Sequence, residues 1–289
     1  MTITSLVPSV MNALTLISVL MLVAMGLGII FGMMRVINLA HGEFMTIGAF
    51  TLSVLQAFGG SYWIALIIAP IVGALAGLLV ERLIVQHLYT RWLATILATW
   101  GLSLIIQQTL EIIFGAGPQG VDSPISGTMN ILGASYPAYR VFIILFSAGV
   151  LSLVLLMFSR SNFGLDIRTV IQDRDMAEAL GIDTKRIFTK AFMLGAGLAA
   201  LAGVLVGPLA VVIAQMGVNY LAKAFFVVIV GGAGSFWGIA AGSTFVGGLE
   251  TVFTYQMPVT LAQALVLALG IIVLRFRPQG IVPHANVKW

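Results

Sequence analysis

Apolar residues occur in long runs separated by short polar breaks. The runs Asn12–Met33, Trp63–Leu83, Leu93–Phe114, Tyr139–Phe158, Ala191–Ile213 and Pro258–Leu274 approach or exceed the length a helix needs to cross a hydrocarbon core of about 30 Å. Phe44–Phe58 is apolar but short for that distance, which predicts a tilted or broken segment. A Gly-rich apolar region, Leu221–Tyr255, is interrupted at Gly231-Gly232-Ala233-Gly234 and reads as two short spans or a re-entrant hairpin. The pattern predicts an all-α, polytopic helical membrane protein with about eight transmembrane helices, including a broken or re-entrant segment. No stretch reads as a soluble domain, so residues 1–289 are drawn as one transmembrane domain.

Composition supports this class. The chain is 60% hydrophobic and 8% charged, with a mean hydropathy of +1.09, whereas soluble domains carry about 25% charged residues. Of the 14 Lys and Arg and 10 Asp and Glu, 11 fall between Arg160 and Lys190. Each of these charges would cost about 3 kcal/mol in lipid, so the stretch lies in water. A dense polar loop on a membrane protein is a surface on which a soluble partner docks. The net charge of +4 is spread over helix ends, which argues against nucleic acid as a partner. Cysteine is absent, which excludes disulfides and thiolate metal sites. The first run has no basic residue before it and is long enough to span, so no signal peptide is evident.

Charge also sets an orientation. With the N-terminus outside, Arg35, Arg82, Arg91, the 160–190 cluster, Arg275, Arg277 and Lys288 share one side; Arg140 falls opposite and Lys223 is ambiguous. By the positive-inside rule that side, with the C-terminus, is cytoplasmic. Gly115–Ala138 then reads as an outer loop. Trp63 and Trp92 fit interface anchors, although a Trp near a helix end also arises by chance.

Within the charged loop, Asp173-Arg-Asp-Met-Ala-Glu-Ala-Leu-Gly181 spells a short helix. Asp173 can cap its start, Gly181 can take the left-handed position after its end, and Met176, Ala177 and Leu180 share a face. A helix this short is unstable alone in water, where about 12–15 residues are needed. It therefore rests either on the chain's own cytoplasmic ends or on a cytoplasmic motor subunit. In the second case Arg174, Asp175 and Glu178 contact the partner.

A second polar string, Asn38-Leu-Ala-His-Gly-Glu43, sits between two apolar runs. Ionisable residues at membrane depth are costly and mark transport paths, often where helices break. The alternative is a cytoplasmic turn with Glu43 at the start of the next helix. Thr99, Trp100, Ser103, Gln107 and Gln108 form a further polar group, with Glu111 one turn on; it bonds neighbouring helices or meets solute. Glu250 lies late in the Gly-rich region. His41 has no second ligand nearby, and no nucleophile–base arrangement or phosphate loop occurs, so no catalytic centre is found. Small residues at Gly73/Gly77, Gly203/Gly207, Gly234/Gly238 and Gly238/Gly242 allow close helix packing.

Four segments carry a resemblance. Met34-Arg-Val-Ile-Asn-Leu-Ala-His-Gly-Glu-Phe44, residues 171–182, Val230-Gly-Gly-Ala-Gly-Ser235 and Arg275-Phe-Arg-Pro-Gln-Gly280 occur in this order, and the chain resembles, over nearly its whole length, the permeases of branched-chain amino acid and urea ABC importers. The resemblance implies a bacterial inner-membrane subunit that is not itself an enzyme. It implies a second homologous permease, two cytoplasmic ATPases that bind ATP and Mg²⁺, and a solute-binding protein outside; this chain would need no cofactor of its own. It makes residues 171–182 the ATPase-coupling segment, with Asp173, Arg174, Asp175, Met176, Glu178, Leu180 and Gly181. It maps Asn38–Glu43 onto the family's hallmark. The substrate-pathway candidates are Asn38, His41, Glu43, Thr99, Trp100, Gln107 and Gln108. Residues 97–108 are similar to urea-type permeases, whereas Arg35 and Trp92 are closer to the amino-acid branch; the balance leans slightly to urea or a small amide. The competing classes are an ion-coupled secondary transporter, whose candidate carboxylates Glu43, Glu111 and Glu250 sit in separate segments, a passive channel for a small solute, and an intramembrane enzyme.

Overall fold

The computed structural model describes residues 3–34, 36–89, 91–232 and 234–282. Arg35, Ala233 and Lys288, used above in the motifs and the charge count, lie outside the described residues. Among the described residues there are eleven α-helices: α1 Ile3–Met34, α2 His41–Ala57, α3 Tyr62–Leu83, α4 Trp92–Phe114, α5 Ala138–Arg160, α6 Asn162–Gln172, α7 Arg174–Ala179, α8 Thr184–Val206, α9 Met216–Gly231, α10 Phe236–Thr254 and α11 Val259–Phe276. α1, α3, α4, α5, α8 and α11 are long and apolar enough to cross a membrane. α2 has 17 residues and α9 has 16, so both are short for a span. The chain is a polytopic helical membrane protein.

α1 and α8 form the centre, and both are largely buried. They cross where Gly26 meets Gly195; a Cβ on either would collide with the carbonyl of the other. Lipid tails are as apolar as leucine, so packing at such close approaches, rather than hydrophobic burial, holds membrane helices together. The predicted small pairs behave this way: Gly73 and Gly77 abut Ala200 and Ala196 on α8, and Gly238 and Gly242 abut Gly231 and Val227 on α9.

The helices have two ends. At one, the Tyr62 hydroxyl meets Tyr139 at 2.9 Å and the Val204 carbonyl at 3.5 Å, which gathers the starts of α3 and α5 with the end of α8. Asn12, near the start of α1, takes hydrogen bonds from Tyr136 and Arg140 at this same end. At the other end lie α6, α7 and the start of α8. The C-terminal segment joins them there, with Ile281 N–H donating to Val230 O and Val282 N–H to Gly231 O.

The neighbours repeat with inverted direction. α1 runs toward the charged end, breaks, and is followed by short α2; α8 runs away from it, breaks, and is followed by short α9. α8 packs on α3 and α2, and α1 packs on α10 and α9. At the centre of the pattern Gly42 of α2 and Gly217 of α9 touch backbone to backbone, each facing the other's carbonyl.

Two expectations change, and one open alternative is resolved in favour of two helices. The run Ala191–Ile213 is not one helix. α8 starts earlier, where Asp183 caps it by accepting from Arg186 N–H at 3.1 Å, and it stops at Val206 because Pro208 cannot continue an α-helix. The apolar residues 210–213 that extended the pattern are loop, and Gln119 N–H bonds to Val212 O there at 2.9 Å. Leu221–Tyr255 resolves into two helices, α9 and α10. Gly115–Ala138, read as loop, contains an antiparallel hairpin pairing Thr128–Ile131 with Ala134–Pro137.

Candidate functional site

Asn38–Glu43 is not a surface turn. After Met34 the chain bends back into the bundle until His41 Nε2–H donates to Val23 O at 3.3 Å. Val23 lies about 16 Å of helix short of Met34, roughly half the depth of an apolar core about 30 Å thick. Asn38 Oδ1 accepts from Ala40 N–H at 3.0 Å and shapes the turn that starts α2. Glu43 sits in the first turn of α2, where the helix dipole favours a carboxylate.

Asn38, His41 and Glu43 are fully buried. Their partners come from α4. Thr99 Oγ1 accepts from Leu39 N–H at 3.1 Å, and both the Ser103 hydroxyl and the Gln107 amide donate to Glu43 Oε1 at 2.7 Å. Thr46 Oγ1 accepts from Gly217 N–H at 3.1 Å, which ties α2 to α9. Asn38 Nδ2, His41 Nδ1 and Glu43 Oε2 have no partner among the described residues. The structure thus brings Asn38, His41, Glu43, Thr99 and Gln107 to one junction of α1, α2 and α4. It does not bring Trp100 or Gln108 there. Trp100 points outward at 56% exposure. Gln108 donates to Glu111 Oε2 at 3.3 Å on the surface, and Glu111 is also bonded by Gln215.

At the charged end, α6 and α7 leave the apolar bundle. Asp173 Oδ1 caps α7 by accepting from Met176 N–H at 3.0 Å, and Gly181 takes φ +82° after its end, as the sequence predicts. Ala177 is buried, while Met176 and Leu180 are 56% and 69% exposed. The residues expected to face a partner are divided. Arg174 pairs with Glu178 at 3.1 Å and lies over the Phe188 ring, 5.1 Å from its centre. Glu178 also accepts from the Thr184 hydroxyl at 2.6 Å. These bonds, Thr184 first and then Arg174, hold the Glu178 carboxyl below its ordinary value. Arg174 and Glu178 therefore anchor α7 to α8, and Asp175, Met176 and Leu180 form its free face.

Beneath α7 a buried carboxylate joins three elements. Glu81 of α3 accepts from Thr189 of α8 at 2.9 Å and from the Tyr89 hydroxyl. Burial first, and then the Glu81 carboxylate, push the Tyr89 phenol above its ordinary value. Tyr89 in turn meets the Phe188 ring under Arg174 edge-on. Glu81 was not singled out in the sequence; a carboxylate closing an apolar run beside Arg82 is the only signal it leaves there.

The family described as branched-chain amino acid transport system permease component matches residues 9–274. The chain belongs to this permease family. It is 28% identical over 296 residues to the high-affinity branched-chain amino acid transport system permease protein LivH of Escherichia coli K12, covering 96% of this chain and 95% of LivH. It is 30% identical over 296 residues to BraD of Pseudomonas aeruginosa, described as a permease protein of the same kind of system, with the same coverage. LivM of Escherichia coli K12 matches at 25% over 301 residues, covering 93% of this chain and 69% of LivM. No solved structure matches the chain. In this permease the polar junction of α2 and α4 and the α6–α7 platform stand at different depths, and α8 connects them.

Proposed function

We propose that the chain is one of two membrane subunits of an ATP-driven importer for branched-chain amino acids, with α6–α7 facing the cytoplasm as the seat of an ATPase. The observation that carries this reading is α7: a capped helix bonded to α8 from behind, with Met176 and Leu180 bare on its other face. Exposed apolar side chains on an otherwise charged segment suit a protein partner. The names LivH and LivM, given to two permease proteins of one transport system in Escherichia coli, support a pair of unlike permeases. ATP and Mg²⁺ would bind the partner ATPases, and a binding protein would deliver solute at the hairpin end.

Motion of the ATPases would reach the bundle through Arg174, Phe188, Tyr89 and Glu81 into α3 and α8. Asn38, His41, Glu43, Thr99 and Gln107 are proposed as part of the pathway that opens when α4 moves; the three unpartnered polar atoms at this junction support that role, since water or solute would satisfy them. The test is reconstitution in liposomes with a homologous permease, ATPases and binding protein. ATP-dependent leucine uptake is expected. Transport by the isolated chain, or import of urea in place of leucine, would overturn the reading.

A further inference from the structure

α9, α10 and α11 enclose a charged group that the sequence leaves unexplained. Lys223 Nζ lies 2.6 Å from Glu250 Oε1, with the two side chains 22% and 8% exposed, and Gln263 Nε2 donates to the same oxygen at 3.1 Å. Both donors converge on one carboxylate oxygen; the other has no partner among the described residues. The ammonium has three donors and spends one on Glu250.

These groups line open space. A cavity of about 240 Å³ holds Lys223, Glu250 and Gln263, and an adjoining one of about 460 Å³ shares Lys223, Gln263 and Asn219. The remaining wall of the smaller cavity is mainly apolar, with Phe226, Val246, Val266 and Leu267. An ion pair that served packing alone would be closed off, because desolvating two charges is offset only by full pairing. Here the unused valences face a cavity with a greasy wall.

We propose that Lys223, Glu250 and Gln263 form a transit site for a zwitterionic α-amino acid with an aliphatic side chain. The solute carboxylate takes Lys223, its ammonium takes Glu250 and the Gln263 amide oxygen, and its side chain lies on the apolar wall. Inserting a zwitterion exchanges one ion pair for two, which offsets the cost of stripping water from the solute. Urea, which is uncharged, would have to break the pair without replacing it. Glu250 lies late in α10 and Gln263 early in α11, away from α6 and α7, so the site is placed to meet solute arriving at the hairpin end. This inference rests on the importer reading above.

The native chain has no cysteine, so Asn219→Cys places a single thiol in the larger cavity. In the assembled complex, leucine should slow its alkylation, and urea should not. In the Lys223→Met/Glu250→Gln double variant, which removes both charges together, leucine protection should vanish and leucine uptake should fall about tenfold or more, while the complex still assembles. Absence of leucine protection, equal protection by urea, or wild-type uptake by the double variant would each overturn the site. Failure of the unmodified complex to import at all would instead remove the importer reading, and the labelling result would still decide whether a zwitterion binds here.

Discussion

Gly42 and Gly217 touch because neither has a Cβ, and each faces the other's carbonyl where the two short helices begin. Gly42→Ala should destabilise the protein by about 1–3 kcal/mol, the usual cost of overpacking. Gly101, with open space around it, is the control, and Gly101→Ala should be neutral or slightly stabilising. Thermal unfolding in detergent measures both. Glu43 and Gln107 are coupled across α2 and α4 by a 2.7 Å hydrogen bond. A double-mutant cycle of Glu43→Ala and Gln107→Ala should give a coupling of about 0.6 kcal/mol and no more than about 1.7 kcal/mol, the mean and maximum for hydrogen bonds between membrane helices. A value near zero would mean that packing alone docks α4.

α7 is an element that exists only through its contacts. Six residues are far below the length that is stable alone. The Asp173 cap, the buried Ala177 and the Glu178–Thr184 bond hold it in place. Gly181→Pro would force φ from +82° to about −65°. Uptake should be lost while the chain still inserts, which transport assays and membrane fractionation report separately. Met176→Asp tests the free face and should abolish ATPase coupling without loosening α7. The pH behaviour follows from Glu178. Its carboxyl is depressed below the ordinary 4.5, so its stabilising bonds are fully present above that pH and are lost as pH falls through the depressed folded value. Amide protection in α7, with exchange rates corrected for their intrinsic pH dependence, should be flat from neutral pH down to about 5 and fall only in stronger acid. Glu178→Gln should remove most of that step.

For the whole molecule, orientation is the property that every transport step depends on. Single cysteines at Ser123 and Lys185 lie near opposite ends of the bundle, and no native thiol competes with them. An impermeant maleimide applied to intact cells should label Ser123→Cys, and Lys185→Cys only after permeabilisation. The reverse result would place the α6–α7 platform outside. The inverted arrangement around the Gly26–Gly195 and Gly42–Gly217 contacts gives each half a long central helix, a break and a short helix, with α4 and α11 at the edges of the bundle.

Hydrophobic run length was enough to define the membrane class, the long helices α1, α3, α4, α5 and α11, and the charged platform, because lipid excludes charge and unpaired backbone wherever they fall in the chain. The cap at Asp173 and the left-handed Gly181 were equally readable, since both depend on a few neighbouring residues. Hydropathy does not tell a helix from an apolar loop, so the end of α8 at Val206 was displaced to Ile213. Which polar residues meet was decided by tertiary structure alone. Ser103 and Gln107 reach Glu43 from a different helix, and Lys223 and Gln263 reach Glu250 from two others. Those pairings depend on how far each helix is rotated and shifted against its neighbours, and that is set by backbone contacts at glycines far away in the sequence.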